Sequence, residues 1–375
     1  MPRIRVGFIG LPGAPPGLYE GTNWAANAHL PYLSRSPHYQ IVALLNRSVE
    51  SARNAIKKFH LPAETKAYGK PEDLANDPDI DLVVCCTRVD RHFEPIRSSL
   101  IAGKNVYVEW PLEKNLAVAR EMAALARKHN VKTVVGLQAS FAPVVQKVKK
   151  LVESGVIGRV LSSDYSVAAG NDLFTEGKNI SYFLDRSVGG GSINVHTAHN
   201  LESITAVLGP FKTFNTGSEI SRPYLDIVDY RSGTVLRSHV KNECPDQIIM
   251  FGTVEPSNAF VTFRLQCGQQ FPGLPQADWR IQGDKGSIRV TASALFLGMG
   301  APDINVQVYD NTTGRLREEK VGSDEEFGSL PLVARNIGRL YEAFRKDEWV
   351  PNFDWALERQ AQVERAWQQF DETHA

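Results

Sequence analysis

Between residues 4 and 137, short apolar runs alternate with amphipathic stretches, and a chain written this way closes into a parallel sheet with right-handed crossovers. Ile4 to Gly10 (IRVGFIG) reads as a strand that runs into a Pro/Gly-rich loop, Leu11 to Gly21 (LPGAPPGLYEG). Thr22 or Asn23 can cap the next helix, whose apolar face is Trp24, Ala25, Ala28 and Leu30 to Leu33. The pattern repeats: strand Gln40 to Leu45, helix Val49 to Phe59, strand Ile80 to Cys86 (IDLVVCC), helix Phe93 to Ala102, strand Asn105 to Val108, helix Leu116 to His129 and strand Lys132 to Leu137. Pro143 then opens a helix that Gly155 closes, and from Val160 the chain changes to strands joined by longer loops.

These later strands, Val160 to Val167, Ile248 to Val254, Ala259 to Gln266, Asp278 to Gln282, Ser287 to Val290 and Asn305 to Tyr309, fit one large, mostly antiparallel sheet. Two closing helices, Leu332 to Lys346 and Asp354 to Phe370, follow. The expected fold is α/β: an N-terminal doubly wound parallel sheet of Rossmann type over residues 1–140, then an α/β domain with an open sheet over residues 141–375. The final helices are free to pack back on the first domain.

A formal net charge of zero, from 42 basic and 42 acidic residues, supplies no global field for nucleic acid or an anionic membrane, so a small molecule or another protein is the expected partner. No apolar signal region opens the chain and no run approaches a membrane span, which makes the cytosol the expected compartment. The four cysteines, Cys85, Cys86, Cys244 and Cys267, lack CxxC spacing and read as reduced residues.

In a parallel α/β sheet the first β-α turn presents helix N–H groups to a ligand beyond the strand ends, and Gly10 to Asn23 occupies that turn. The stretch does not spell GxGxxG: it is several residues too long, and serves either as a plain connection or as a dinucleotide seat that orders on binding. At the end of the second strand an NAD-selective site carries a carboxylate for the ribose, but here the chain reads Asn46-Arg47-Ser48. A guanidinium and a hydroxyl at this turn can pair with a 2′-phosphate, which favours NADP(H) over NAD(H); the alternative is a solvated arginine.

Ala102 to Leu112 (AGKNVYVEWPL) resembles the AGKHV–EKP signature of the glucose-fructose oxidoreductase, inositol dehydrogenase and MocA (Gfo/Idh/MocA) family. The likeness extends through Thr87 to His92 (TRVDRH), Val152 to Gly158 (VESGVIG), Gly189 to His199 (GGGSINVHTAH) and Ile281 to Ile288 (IQGDKGSI). The segments RVGFIGL, VEW, Gly136-Leu137-Gln138 and Cys244 to Thr253 (CPDQIIMFGT) are similar to its fungal Gal80 branch. The resemblance implies a Rossmann domain joined to an α/β domain whose open sheet makes oligomer contacts, here a homodimer, and a cleft that takes NAD(H) or NADP(H). Carried onto this chain, the cofactor-contacting positions are Gly10, Leu11, Asn23, Trp24, Asn46, Arg47, Ser48, Thr87, His92, Glu109, Trp110 and Gln138. Glu109 is expected at backbone or ribose contacts, and His92 as a cap for the helix that follows it.

In enzymes of the family a lysine of EKP, and an aspartate and a histidine of the GGG segment, surround the nicotinamide; the matching residues here are Trp110, Val195 and His199. Neither tryptophan nor valine can exchange a proton near neutral pH, so His199 is the remaining acid/base. Tyr182, ahead of the glycine turn, is a second candidate, with Asp185 behind it. His196 and His199 share a face if helical, yet zinc needs at least a third ligand and none falls at supporting spacing, so no metal is expected. Three functions stay open: an NADP(H)-dependent oxidoreductase of a small carbonyl, imine or hydroxyl substrate; a Gal80-like co-regulator, able to enter the nucleus, that binds a protein without turnover; or an enzyme using NADP(H) for a non-redox step. The stretch Gly170 to Tyr182, expected to face the substrate, carries no charge clamp that would name it.

Overall fold

The computed structural model describes residues 2–12, 23–170, 174–322 and 324–375. The expectation for the Gly/Pro loop falls almost wholly on residues 13–22, outside the described residues, and so does part of the stretch from Gly170 to Tyr182. The chain divides into two compact units. The first holds residues up to Leu137, Ser187–Gly189 and Phe327–Ala361; the second holds Gln138–Arg186, Gly190–Glu326 and the chain from Gln362 onward.

The first unit is built on six parallel strands: β1 (Ile4–Ile9), β2 (Tyr39–Leu45), β3 (Lys66–Tyr68), β4 (Leu82–Cys85), β5 (Asn105–Val108) and β6 (Thr133–Val135). Their order, β3-β2-β1-β4-β5-β6, is the doubly wound Rossmann arrangement. Helices cover both faces of such a sheet, so its central strands are apolar without alternation, and all four residues of β4 are buried. The covering helices in chain order are α1 (Leu30–Leu33), α2 (Val49–Lys58), α3 (Pro71–Ala75), α4 (Phe93–Ile101) and α5 (Leu116–Lys128). A π-helical turn, Ala25–His29, leads directly into α1.

In the second unit α6 (Pro143–Glu153) precedes β7 (Val160–Ala169), the short β8 (Thr175–Gly177) and α7 (Ala198–Leu208). The strands that follow are β9 (Phe211–Glu219), β10 (Tyr224–Asp229), β11 (Thr234–Lys241), β12 (Gln247–Val254), β13 (Phe260–Cys267), β14 (Ala277–Gly283), β15 (Gly286–Ala292), β16 (Asn305–Asp310) and β17 (Arg315–Glu318). Eight strands form the large sheet, in the order β17-β16-β15-β14-β7-β13-β12-β9. It is antiparallel except where β7 meets β13. The six later strands expected from the sequence all lie in this sheet, as β7 and β12 to β16, whereas β8, β10 and β11, which the sequence pattern does not announce, form a separate three-stranded sheet.

Along β12 to β15 buried residues alternate with less buried ones, the mark of a sheet with one covered face. The other face is open in this chain and carries Ile249, Phe251 and Phe260. Two helices end the chain, α8 (Leu332–Arg345) in the first unit and α9 (Phe353–His374), which begins in the first unit and finishes in the second.

Candidate functional site

The strand order of the first unit reverses between β1 and β4, and in sheets of this kind the crevice beyond those two strand ends is where ligands bind. Gly10 stands at that point with φ +92°, and a Cβ on it would lie 2.6 Å from the carbonyl oxygen of Cys86 and 2.9 Å from Cγ2 of Thr87. The turn after β1 therefore runs against the turn after β4, and only glycine fits. Leu11 is fully buried and its carbonyl accepts from Asn46 Nδ2 at 2.9 Å, while Lys58 Nζ donates to the carbonyl of Pro12 at 3.2 Å. Asn46 also donates to the carbonyl of Ser51, so its amide is spent on holding the two turns in register.

Ser48 caps α2 by accepting from the Ser51 amide at 3.1 Å, which leaves its hydroxyl proton free to be donated. Arg47 beside it is exposed, and among the described residues no ion pair engages it. Asn23 Oδ1 accepts from the Ala26 amide at 3.2 Å, as its capping position leads one to expect. Trp24 Nε1 is buried and has no hydrogen-bond partner among the described residues.

The π-helical turn swings His29 inward to a fully buried position. Its ring meets Tyr107 at 5.1 Å and Phe8 and Tyr341 at 5.8 Å, all edge-on. Tyr341 Oη lies 2.8 Å from Nδ1 and Glu109 Oε1 lies 2.9 Å from Nε2. With the tyrosine hydroxyl donating to Nδ1, the Nε2–H donates to the carboxylate, and all three groups are satisfied. Glu109, expected at backbone or ribose contacts, instead holds this buried histidine; its carboxylate packs on Gly136, where a Cβ would come within 2.4 Å. His29 and Tyr341 escaped the reading of the sequence, and a lone histidine on an otherwise apolar helix face was the one available hint.

Thr87 Oγ1 donates to the carbonyl of Arg91 at 2.9 Å. His92 does not cap α4: its ring nitrogens face the carbonyls of Leu112 (3.2 Å) and Thr87 (3.1 Å), and Glu113 Oε2 accepts from the Phe93 amide at 3.0 Å in its place. The reason is its helical backbone, φ −81° and ψ −47°, because a side chain reaches back over its own helix from an extended cap. Trp110 is 6% exposed and joined to Pro111 by a cis peptide bond.

In the second unit Gln138 is buried, and its Oε1 has no partner among the described residues. The GGG segment turns at Gly191 (φ +83°) into a second π-helical turn, Ser192–Thr197, that continues as α7. Here the structure gathers the expected protic residues around two phenylalanines. Phe183 meets Tyr182 at 4.9 Å and His196 at 5.5 Å, and Phe296 meets His196 at 5.7 Å and His199 at 5.5 Å. Gly190 permits this packing, since a Cβ there would stand 3.0 Å from the Tyr182 ring. Burial and then the neighbouring His199 push the His196 imidazolium down to about 4, so its ring is neutral at physiological pH. Among the described residues no group of three or more His, Cys, Asp or Glu is placed to hold a metal ion.

Glu176, on β8, was not singled out in the sequence. Burial raises its carboxyl to about 7, against the lowering effects of the Gly177 amide and Arg222. A carboxyl raised from its ordinary value of 4.5 favours folding when protonated; that advantage is complete below about pH 4.5 and is lost as the pH climbs to about 7. Glu176→Gln is therefore expected to gain about 2–3 kcal/mol over the parent above pH 7 and nothing below pH 4.5. Urea midpoints measured across this range check it, and a gain that does not change with pH would rule the carboxyl out.

A sequence profile of the oxidoreductase family with an NAD-binding Rossmann fold, Gfo/Idh/MocA, matches residues 18–137, and one for the C-terminal domain of Gal80p matches residues 143–292. The dehydrogenase aclE of Aspergillus oryzae is 32% identical over 315 residues, 83% of either chain. The chain belongs to the Gfo/Idh/MocA oxidoreductase family. Within it the GAL80 galactose/lactose metabolism regulatory protein of Saccharomyces cerevisiae is 26% identical over 373 residues, 91% of this chain and 81% of that one. The crystal structure of a super-repressor mutant of Gal80p from the same yeast superposes with a TM-score of 0.86 at 22% identity, covering 99% of this chain and 96% of the other. Levoglucosan dehydrogenase in complex with NADH and levoglucosan gives a TM-score of 0.74 at 18% identity, covering 98% of both chains. The fold expected from sequence, a Rossmann domain followed by a domain with a large open sheet, is the fold of these proteins.

Proposed function

We propose that the chain is an NADP(H)-dependent oxidoreductase of a small carbonyl, imine or hydroxyl compound. The observation that carries this reading is the glycine-only contact of Gly10 with Cys86 and Thr87, which brings the turns after β1 and β4 together at the strand reversal. A nicotinamide bound there supplies the hydride. Gly10, Leu11, Asn23, Trp24, Thr87 and Trp110 shape its seat; the buried Trp24 Nε1 has no hydrogen-bond partner among the described residues. Glu109, His92 and Asn46 act one layer back, through His29 and backbone carbonyls. His199 moves the proton at the substrate oxygen or nitrogen, with the Tyr182 hydroxyl as the second candidate. Gln138, whose buried Oε1 has no partner among the described residues, is assigned to the ligand as well.

Arg47 and the Ser48 hydroxyl are assigned to the 2′-phosphate, so NADPH is expected to bind about 10-fold or more tightly than NADH. Fluorescence titration with both nucleotides reads this directly, and Arg47→Asp should erase or reverse the preference. Equal affinities in the parent protein would remove the assignment. Turnover itself is tested by a screen of carbonyl, imine and alcohol substrates followed through NADPH absorbance.

A second reading, a dinucleotide-loaded regulator without turnover, is favoured by Trp110 and Val195 at the lysine and aspartate positions and by the likeness to Gal80p. It predicts a protein partner recovered only with NADPH present, and a nuclear as well as cytosolic location. Either way we assign the open face of the large sheet, with Ile249, Phe251 and Phe260, to a homodimer contact.

A further inference from the structure

Ser192 and His196 lie one turn apart, at positions where the family signature has no acid/base residue, and the π-helical turn sets their side chains together. Ser192 Oγ is 3.2 Å from His196 Nδ1 and 3.0 Å from Cys267 Sγ, the last residue of β13. The turn is fixed at two further points. Trp367 Nε1 donates to Asn194 Oδ1 at 2.8 Å, and Asn200 Nδ2 donates to the carbonyl of His196 at 2.9 Å while its own Oδ1 accepts from the Tyr165 hydroxyl. The His196 ring is flanked by Phe183 and Phe296, and the residue is largely, not completely, buried.

The protons in this chain of three groups have a preferred direction. A thiol is a weak donor and a weak acceptor, whereas an imidazole nitrogen is a strong acceptor. Burial holds the Cys267 thiol up at about 11, so it keeps its proton and has one to give. The hydroxyl proton is best spent on Nδ1, with the thiol donating to Ser192 Oγ; the reverse order would spend it on sulfur. A filled Nδ1 leaves the ring proton on Nε2.

We infer that Ser192 and Cys267 are positioning residues that fix His196 as an Nε2–H donor for the carbonyl oxygen of a small, partly apolar substrate lodged between Phe183 and Phe296. The ring acts as a neutral hydrogen-bond donor that orients and polarises the carbonyl, and no proton leaves it. This role rests on the oxidoreductase reading for its substrate, but the state of the ring does not.

The test is nitrogen-15 NMR of the histidine rings in the full chain with NADP+ bound, His196 being assigned by its absence from His196→Gln. The expected spectrum at neutral pH has the proton on Nε2, and benzaldehyde at millimolar concentration shifts the Nε2–H resonance. Ser192→Ala should mix the two tautomers and weaken benzaldehyde binding about 3- to 10-fold. Cys267→Ser, which keeps a donor, should retain the parent tautomer. A proton on Nδ1 in the parent, a tautomer unchanged in Ser192→Ala, or a His196 signal indifferent to benzaldehyde would each overturn the assignment. A protein that turns over no substrate would defeat the redox reading alone, since the ring nitrogens are read without turnover.

Discussion

Gly10→Ala is expected to cost about 3 kcal/mol or more of stability and to abolish measurable NADPH binding. Two effects add. An L-residue at φ +92° is strained by about 1–3 kcal/mol, and the new methyl would meet the Cys86 carbonyl at 2.6 Å, well inside contact distance. Backbone is the harder obstacle, because Cys86 is tied to β1 through its amide, which donates to the carbonyl of Ile9 at 3.0 Å. Relief comes only from separating the turns after β1 and β4, the same turns that form the proposed nucleotide seat. Urea denaturation and nucleotide fluorescence measure the two consequences separately. An alanine variant with parent stability and parent NADPH affinity would show that the close approach at Gly10 does not matter.

His199→Ala is the second large effect. Loss of a positioned acid/base lowers turnover by about 100-fold or more, while NADPH affinity stays near that of the parent. His199 packs on Phe296 and is not among the residues assigned to the nucleotide, so its truncation removes none of the proposed nucleotide contacts. The comparison is of kcat with the NADPH dissociation constant, made on a variant whose folding is verified by its thermal transition. A folded variant that turns over substrate at the parent rate would take His199 out of the mechanism and leave Tyr182 to be tested. If the chain regulates without turnover, no assay of any variant will show a rate, and the NADPH-dependent partner becomes the observable.

The parallel sheet was legible because strands covered on both faces must be apolar along their length, as in Leu82–Cys85, and such runs stand out between amphipathic helices. Strands β9 to β11 were not. Phe211–Glu219 reads FKTFNTGSE and is half exposed throughout, while Thr234–Lys241 is exposed at nearly every position, so no burial pattern was written into either. The site divides in the same way. Gly10, Asn46, Arg47 and Ser48 sit on turns whose place follows from local order, and their environment could be anticipated. His29 takes partners 80 and 312 residues away, and Ser192 meets a sulfur 75 residues on. Contacts of that range depend on how elements pack, and no local periodicity encodes them.

Tyr341 lies at the centre of the aromatic cluster of the first unit, stacked on Tyr32 at 5.5 Å and on Tyr107 at 5.2 Å, and its hydroxyl fills the Nδ1 side of His29. During synthesis the strands and helices of that unit leave the ribosome long before α8 does, and the whole second sheet is made in between. Until α8 arrives, His29, Tyr32 and Tyr107 lack the ring that stacks on or against them, and the carboxylate of Glu109 faces a histidine whose other nitrogen is unfilled. The Rossmann unit is thus begun before the sheets of the second unit are translated and finished after them. A nascent chain must shield that unfinished aromatic surface through the translation of the strands in between.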